Sequence, residues 1–443
     1  MRRLLLRVVF LTGLSFWAFL SLGHAALAER EVLPNGMTLL VTSRPTLPMV
    51  VVQVLIDAGS LREPAAKAGL ANLTAELLTR GTTTRSALAI SQAIDFRGGE
   101  LSTEVERDYV TVSLRLLKKD LDAGLELLAD LLQHPRFAPE EITRQRQETL
   151  GVLQKAEEEP DEIAEATFRQ LLFGSQHPYG RRIEGTPETL RSIGREDILR
   201  FYQENYGPNR SIMAFVGDIT LAEARTKVER FWGGWRPVSP PPEPPAPSLQ
   251  ATLPLRRIID KPLSQATVLF GHLGIRRDNP DYYAVTVMNH ILGGGGFGSR
   301  LLQKLREEHG LVYGAYSQFQ SGKVPHLFWV RLETRNRAVK QALELTMQEI
   351  RRIQGTPVSP EELKAAKAYL VGSFPFRMDT NRELATLLPL LEFYQLGLDY
   401  VDRYPALIEQ VSQADVLRVA QKYLHPDRSL LVVVGKEAEI EGP

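Results

Sequence analysis

Two hydrophobic periods alternate along the chain, and each predicts its own kind of element. Residues 49–56 are β-branched and almost wholly apolar, which predicts a buried strand. Apolar positions then recur at helical spacing over 69–78, with Arg80-Gly81-Thr82 as the stop, and again over 90–96. Residues 100–105 and 109–116 read as strands. Helical spacing returns over 121–132, in a long charged helix over 140–159 that Pro160 ends, and over 163–172. A turn at His177-Pro178-Tyr179-Gly180 follows, then a helix over 195–206, a buried strand over 211–216 and a closing helix over 221–231. Near the start, 32–41 predicts a hairpin about Asn35-Gly36.

The pattern breaks at 237–247, where seven of eleven residues are proline. No helix or central strand survives that density, so a semi-rigid extended linker is expected. The chain on its two sides echoes itself. Pro139-Glu140-Glu141-Ile142 returns as Pro360-Glu361-Glu362-Leu363, an offset of 221, and Tyr206-Gly207-Pro208-Asn209-Arg210-Ser211-Ile212 as Leu424-His425-Pro426-Asp427-Arg428-Ser429-Leu430, an offset of 218. Near-constant offsets about a linker predict a duplication. The expected fold class is α+β: two duplicated α/β-sandwich-like halves, each an antiparallel-rich sheet plus helices, enclosing a chamber.

One stretch of the second half stands out. Gly293-Gly294-Gly295-Gly296 frees the backbone for positive φ and is expected as a loop. Ser299 is the expected N-cap of a helix carrying Leu301, Leu302 and Leu305, Gly310 ends that helix, and a strand follows over 311–319. Arg306 and Tyr313 lie seven residues apart across the turn, so a guanidinium and a phenol are placed to face one site.

Composition narrows the chemistry. The 443 residues are 43% hydrophobic and 24% charged, with 53 basic and 53 acidic side chains. A formal net charge of zero argues against nucleic acid or an anionic membrane as a bulk partner. There is no cysteine, which excludes disulfides and thiolate sites. None of the eight histidines pairs with another at i, i+3 or i+4; His134 and His177 each precede a proline in a turn and are expected in solvent. Residues 1–28 have the basic start, apolar run and Ala26-Leu27-Ala28 end of a signal peptide. Export is therefore expected, to the periplasm in a Gram-negative cell, with membrane contact only if that segment is retained.

Asp57-Ala58-Gly59-Ser60-Leu61-Arg62-Glu63, Gly69-Leu70-Ala71, Arg80-Gly81-Thr82, His177-Pro178-Tyr179, Tyr206-Gly207-Pro208-Asn209, the proline linker and Ser299-Arg300-Leu301 together make the chain resemble the insulinase/pitrilysin peptidases, or inverzincins, and among them the short, processing-peptidase-like type. The resemblance implies domains at 29–236 and 249–443 about a linker at 237–248. It also implies a zinc-binding H-x-x-E-H after Gly69-Leu70-Ala71, with a further Glu on the long helix. Here the two histidine positions hold Asn72 and Glu76, the general-base position Ala75 and the distal position Val152. No inherited zinc site is expected. The family's substrate-binding Arg/Tyr pair, by contrast, matches Arg306 and Tyr313. The resemblance thus implies a non-catalytic subunit of a heterodimeric zinc endopeptidase. Such a chain carries no cofactor of its own, binds peptides through Arg306, Tyr313 and the glycines 293–296, and works with a partner that carries H-x-x-E-H and zinc. The alternatives are a purely structural or peptide-binding protein of this fold, and an autonomous metallopeptidase with a rebuilt oxygen-rich site from Asn72, Glu76 and Glu148.

Overall fold

The computed structural model describes residues 27–240, 242, 243, 247 and 254–440. The expected signal segment, apart from Leu27 and Ala28, and much of the linker lie outside them. The first half builds a six-stranded sheet from β1 (Glu29–Val32), β2 (Thr38–Ser43), β3 (Met49–Ile56), β4 (Glu100–Val105), β5 (Val110–Leu117) and β6 (Ser211–Gly217), in the order β1-β2-β6-β3-β5-β4. The second builds five strands, β7 (Leu255–Asp260), β8 (Gln265–Leu273), β9 (Val312–Phe319), β10 (Leu327–Arg335) and β11 (Leu430–Gly435), in the order β7-β11-β8-β10-β9. Without β1 the two orders coincide. So do the senses: β2 runs parallel to β6 and β7 to β11, and every other pair is antiparallel. The duplication read from two short echoes is a duplication of topology.

Burial explains the strand sequences. β3 and β11 are buried along nearly their whole length, so both faces must be covered, whereas the edge strand β4 alternates exposed and half-buried positions. In each half one sheet face packs on that half's own helices. The other face is covered by a helix from the opposite half. Pro160–Phe173 crosses to β8 and β11, setting Ala164, Phe168 and Leu172 against Leu269, Trp329, Leu430, Val432 and Val434. Asn381–Phe393 returns onto β3 and β6, with Leu384, Ala385 and Leu388 against Leu40, Val51, Ala214 and Val216. These helices begin 221 residues apart, the offset of the first echo. A fully buried Leu or Phe side chain contributes about 1.5–3 kcal/mol, so each exchange locks the halves together substantially.

A buried polar hub joins the same halves. Asp108, between β4 and β5, accepts hydrogen bonds from the Tyr179 hydroxyl (2.5 Å), the Tyr394 hydroxyl (3.1 Å) and the Lys323 backbone N–H (3.1 Å). Asp57 receives Arg62 on both oxygens through bonds of 2.9–3.0 Å, and Lys323 lies 3.4 Å from its Oδ2. Arg62 also reaches the Pro242 carbonyl at 2.7 Å, and Asn209 exchanges two bonds with Val238, which fixes the start of the linker. His177, expected in solvent, is buried here. Its Nδ1 accepts the Tyr179 N–H at 3.1 Å and its ring stacks on Phe173. His134 is exposed, as expected. Among the described residues no helix is long and apolar enough to cross a membrane.

Candidate functional site

Two places were singled out by sequence, and each lies beside the free edge strand of its own sheet. The first is the helix Leu70–Leu77, which packs on the long helix Pro139–Ala156 and on β4. Its start is built by Gly69, with φ of +93°, where a Cβ would lie 2.5 Å from the Glu184 carbonyl oxygen; only glycine fits. Glu63 caps the helix from outside, accepting the N–H groups of Gly69 (3.2 Å) and Ala71 (3.0 Å). Burial pushes its carboxyl up to about 8, against the pull of these N–H groups and Arg181. The conspicuous Arg62-Glu63 pair is therefore scaffold: one residue holds the linker, the other the helix.

On that helix Asn72 and Glu76 are half-buried and Ala75 is fully buried in the first-half core. Val152, on the long helix, is 57% exposed. The cation between the two helices is a guanidinium. Arg80 donates to Gln145 Oε1 (3.0 Å) and to Glu148 Oε2 (2.8 Å). Partial burial raises the Glu76 carboxyl above the usual range, Arg80 pulls it back, and Glu148 adds to the rise. A zinc ion takes four donors, mostly imidazole, thiolate or carboxylate. Here two of the four positions are hydrocarbon, one is a neutral amide, and Arg80 already supplies positive charge. These residues do not fit a zinc ion. Among the described residues no cluster of three or more His, Asp or Glu is placed to hold a metal. Beside this locus β4 opens onto a cleft of about 810 Å³, lined by Glu76, Arg80, Leu88, Ser102, Arg144 and Arg382.

The second place differs from expectation in its backbone. The glycine run is not simply a loop: His290–Gly294 continues the helix Tyr282–Asn289 as a widened turn. The reason is crowding. A Cβ on Gly293 would lie 2.6 Å from the Ser317 nitrogen, and on Gly295 2.7 Å from the His290 carbonyl oxygen. Of the four glycines only Gly296 takes positive φ, at +58°. Ser299 sits at the start of the next helix but makes no capping bond; its hydroxyl donates to the Gly296 carbonyl at 2.7 Å and is buried. Arg300 is likewise structural, gripping Glu362 through bonds of 2.6 and 2.9 Å. The helix over 300–308 widens in its last turn and stops at Gly310, φ +59°, as expected.

Arg306 projects from that last turn and Tyr313 from β9, and the fold brings them together. The guanidinium carbon lies 5.2 Å from the centre of the Tyr313 ring. A second ring, Phe297, stands against the same guanidinium at 5.1 Å, a residue that the sequence did not single out. Arg306 has no acidic partner among the described residues, since Glu308 pairs with Lys304 at 2.6 Å. Tyr313 is 79% exposed and so is not a packing residue. The exposed Tyr316 extends the aromatic surface along β9.

Residues 38–186 match the insulinase family (peptidase family M16), and residues 192–370 match the peptidase M16 inactive domain. An uncharacterized zinc protease of Streptomyces coelicolor is 28% identical over 410 residues, covering 91% of this chain and 89% of that protein. A non-peptidase homolog of Helicobacter pylori is 25% identical over 390 residues, covering 88% and 89%. A crystal structure of a peptidase M16 inactive domain from Pseudomonas fluorescens superposes with a TM-score of 0.87 at 26% identity, over 94% of this chain and 99% of that one.

Proposed function

We propose, from the premise that this chain belongs to the insulinase family of peptidases as a member of its inactive type, that it is the non-catalytic, substrate-binding subunit of an exported zinc endopeptidase. Its partner would be a relative bearing H-x-x-E-H and the zinc, and its substrates peptides or unstructured proteins. The observation that carries this reading is Arg306, in contact with two aromatic rings and with no acidic partner among the described residues. A guanidinium offers five fixed N–H donors and the Tyr313 phenol one more. Those donors suit the carbonyl oxygens of an extended peptide and the oxyanion that develops when such a carbonyl is attacked. The free outer edge of β4, beside its cleft, suits strand addition by the same peptide. The composition of residues 1–28 supports export.

The test is purification alone and together with an H-x-x-E-H relative from the same genome, measuring zinc content and cleavage of an unstructured peptide. This chain alone is expected to hold no stoichiometric zinc and to turn nothing over, and the complex to be active. Arg306→Ala with Tyr313→Phe should lower kcat/KM of the complex by about tenfold to a hundredfold, the worth of one charge-assisted hydrogen bond. Zinc and turnover in this chain alone would overturn the reading. Full activity of the double variant would favour a purely structural role.

A further inference from the structure

We propose that Phe297 is a positioning residue of this site: its ring holds the Arg306 guanidinium in the orientation that receives a peptide carbonyl. The inference rests on the substrate-binding reading above. It starts from an oddity of the glycine run. Gly293 and Gly295 are required by packing, because a Cβ on either would collide with backbone, at Ser317 or His290, and on Gly294 it would press on the Asn289 side chain. Gly296 and Gly298 are not, since a Cβ on either would meet nothing within 4 Å. These two flank Phe297, and Gly296 has φ of +58°. The turn's freedom is therefore spent on aiming one side chain. The turn is anchored from below by the buried Ser299, whose hydroxyl holds the Gly296 carbonyl.

What Phe297 is aimed at is the cation. Phe297 is 68% exposed, and its ring centre lies 5.1 Å from the Arg306 guanidinium carbon, which also lies 5.2 Å from the centre of the Tyr313 ring. Contacts with ring π-faces hold a guanidinium without any carboxylate taking up its N–H groups, which stay available to donate. A long side chain without an acidic partner otherwise samples many rotamers, and that entropy is lost again on binding. The two ring contacts reduce it beforehand. An acidic partner would also hold Arg306, but it would occupy the same N–H groups that a peptide needs.

The experiment titrates the full chain with a fluorescein-labelled unstructured peptide from casein, read by anisotropy. Phe297→Ala and Phe297→Leu are expected to weaken binding about threefold to tenfold, the range of one exposed to partly desolvated cation–π contact. Phe297→Trp should restore it to within about twofold, because a larger π-face replaces the lost one. Unfolding temperatures should stay at the wild-type value, and Phe297→Leu should have no further effect in an Arg306→Ala background. If Phe297→Leu binds as the wild type while Arg306→Ala binds weakly, the role of Phe297 is overturned and the substrate-binding reading stands. If Arg306→Ala itself binds as the wild type, both fall.

Discussion

Tyr394, on the helix that the second half lends to the first, donates its hydroxyl hydrogen bond to Asp108 of the first half at 3.1 Å. The same carboxylate accepts Tyr179 and the Lys323 backbone, so one buried acid ties together three segments that are distant in sequence. Asp108→Ala leaves two buried hydroxyls and one N–H without an acceptor. The expected loss is about 3 kcal/mol of unfolding free energy, measured by urea denaturation. A loss below about 1 kcal/mol would mean that the hub is not what couples the halves.

The helix exchange predicts that the halves cannot stand apart. A first half alone, residues 29–236, would expose Leu40, Val51, Ala214 and Val216 on its sheet and Phe168 and Leu172 on its unpaired helix. That is a large contiguous apolar surface, so the isolated half should aggregate. Opening the linker with a protease site inserted after Glu243 should instead leave a nicked protein that elutes as the intact chain in size-exclusion chromatography. Separation of the fragments without denaturant would contradict the interlocked arrangement.

His326 predicts an acid limit. It is buried against the Tyr179 ring, 4.6 Å between centres, with its Nδ1 unpartnered, and burial together with Arg169, Arg107 and His177 lowers its pKa well below the ordinary 6.5. As pH falls through 6.5 the unfolded chain takes up a proton that the folded chain refuses, so stability is present above 6.5 and lost below it. From this group alone stability declines as pH drops from 7 towards 5. His326→Phe, which keeps the ring and removes the titration, should flatten that part of the urea-midpoint profile. An unchanged pH slope in this variant would rule the histidine out as its source.

Arg80 predicts indifference to chelators. The long helix and the helix Leu70–Leu77 are bridged by the guanidinium and not through a metal, so prolonged chelation should leave the unfolding temperature where it was. Arg80→Met should cost about 1 kcal/mol. The ion pair with Glu148 is largely exposed and contributes little, and the remainder is the buried Gln145 losing its donor. A clear fall in unfolding temperature after chelation would show a metal that these residues do not account for.

Much of the fold was legible from local pattern. The strands of 49–56 and 211–216, the proline-ended long helix and the duplication all appear where residue period and turn chemistry place them, because period and capping act over a few residues. The pairing of Arg306 with Tyr313 followed from spacing across a helix stop. Other features were not legible. Nothing in 163–172 says which sheet its apolar face will cover. His177 before a proline reads as a solvated turn, yet it is buried because a helix from its own half crosses to the other sheet and encloses it. The four glycines read as freedom, although Gly293 answers crowding from Ser317, which only the folded chain brings near, and Gly294 and Gly295 meet Asn289 and His290 one widened turn back.

The sequence by itself determined which side chains stand where the family resemblance implies zinc ligands and base. Asn72, Ala75, Glu76 and Val152 decide that the zinc positions cannot serve, whatever the fold does with them, because donor type belongs to the side chain. The tertiary structure alone decided where the remaining chemistry is held and how. It placed Arg80 between two helices, exchanged the helices that lock the halves, and set Phe297 and Tyr313 both against Arg306. Contacts of this kind join residues whose separation along the chain carries no local signal, and only the packing of one half against the other selects them.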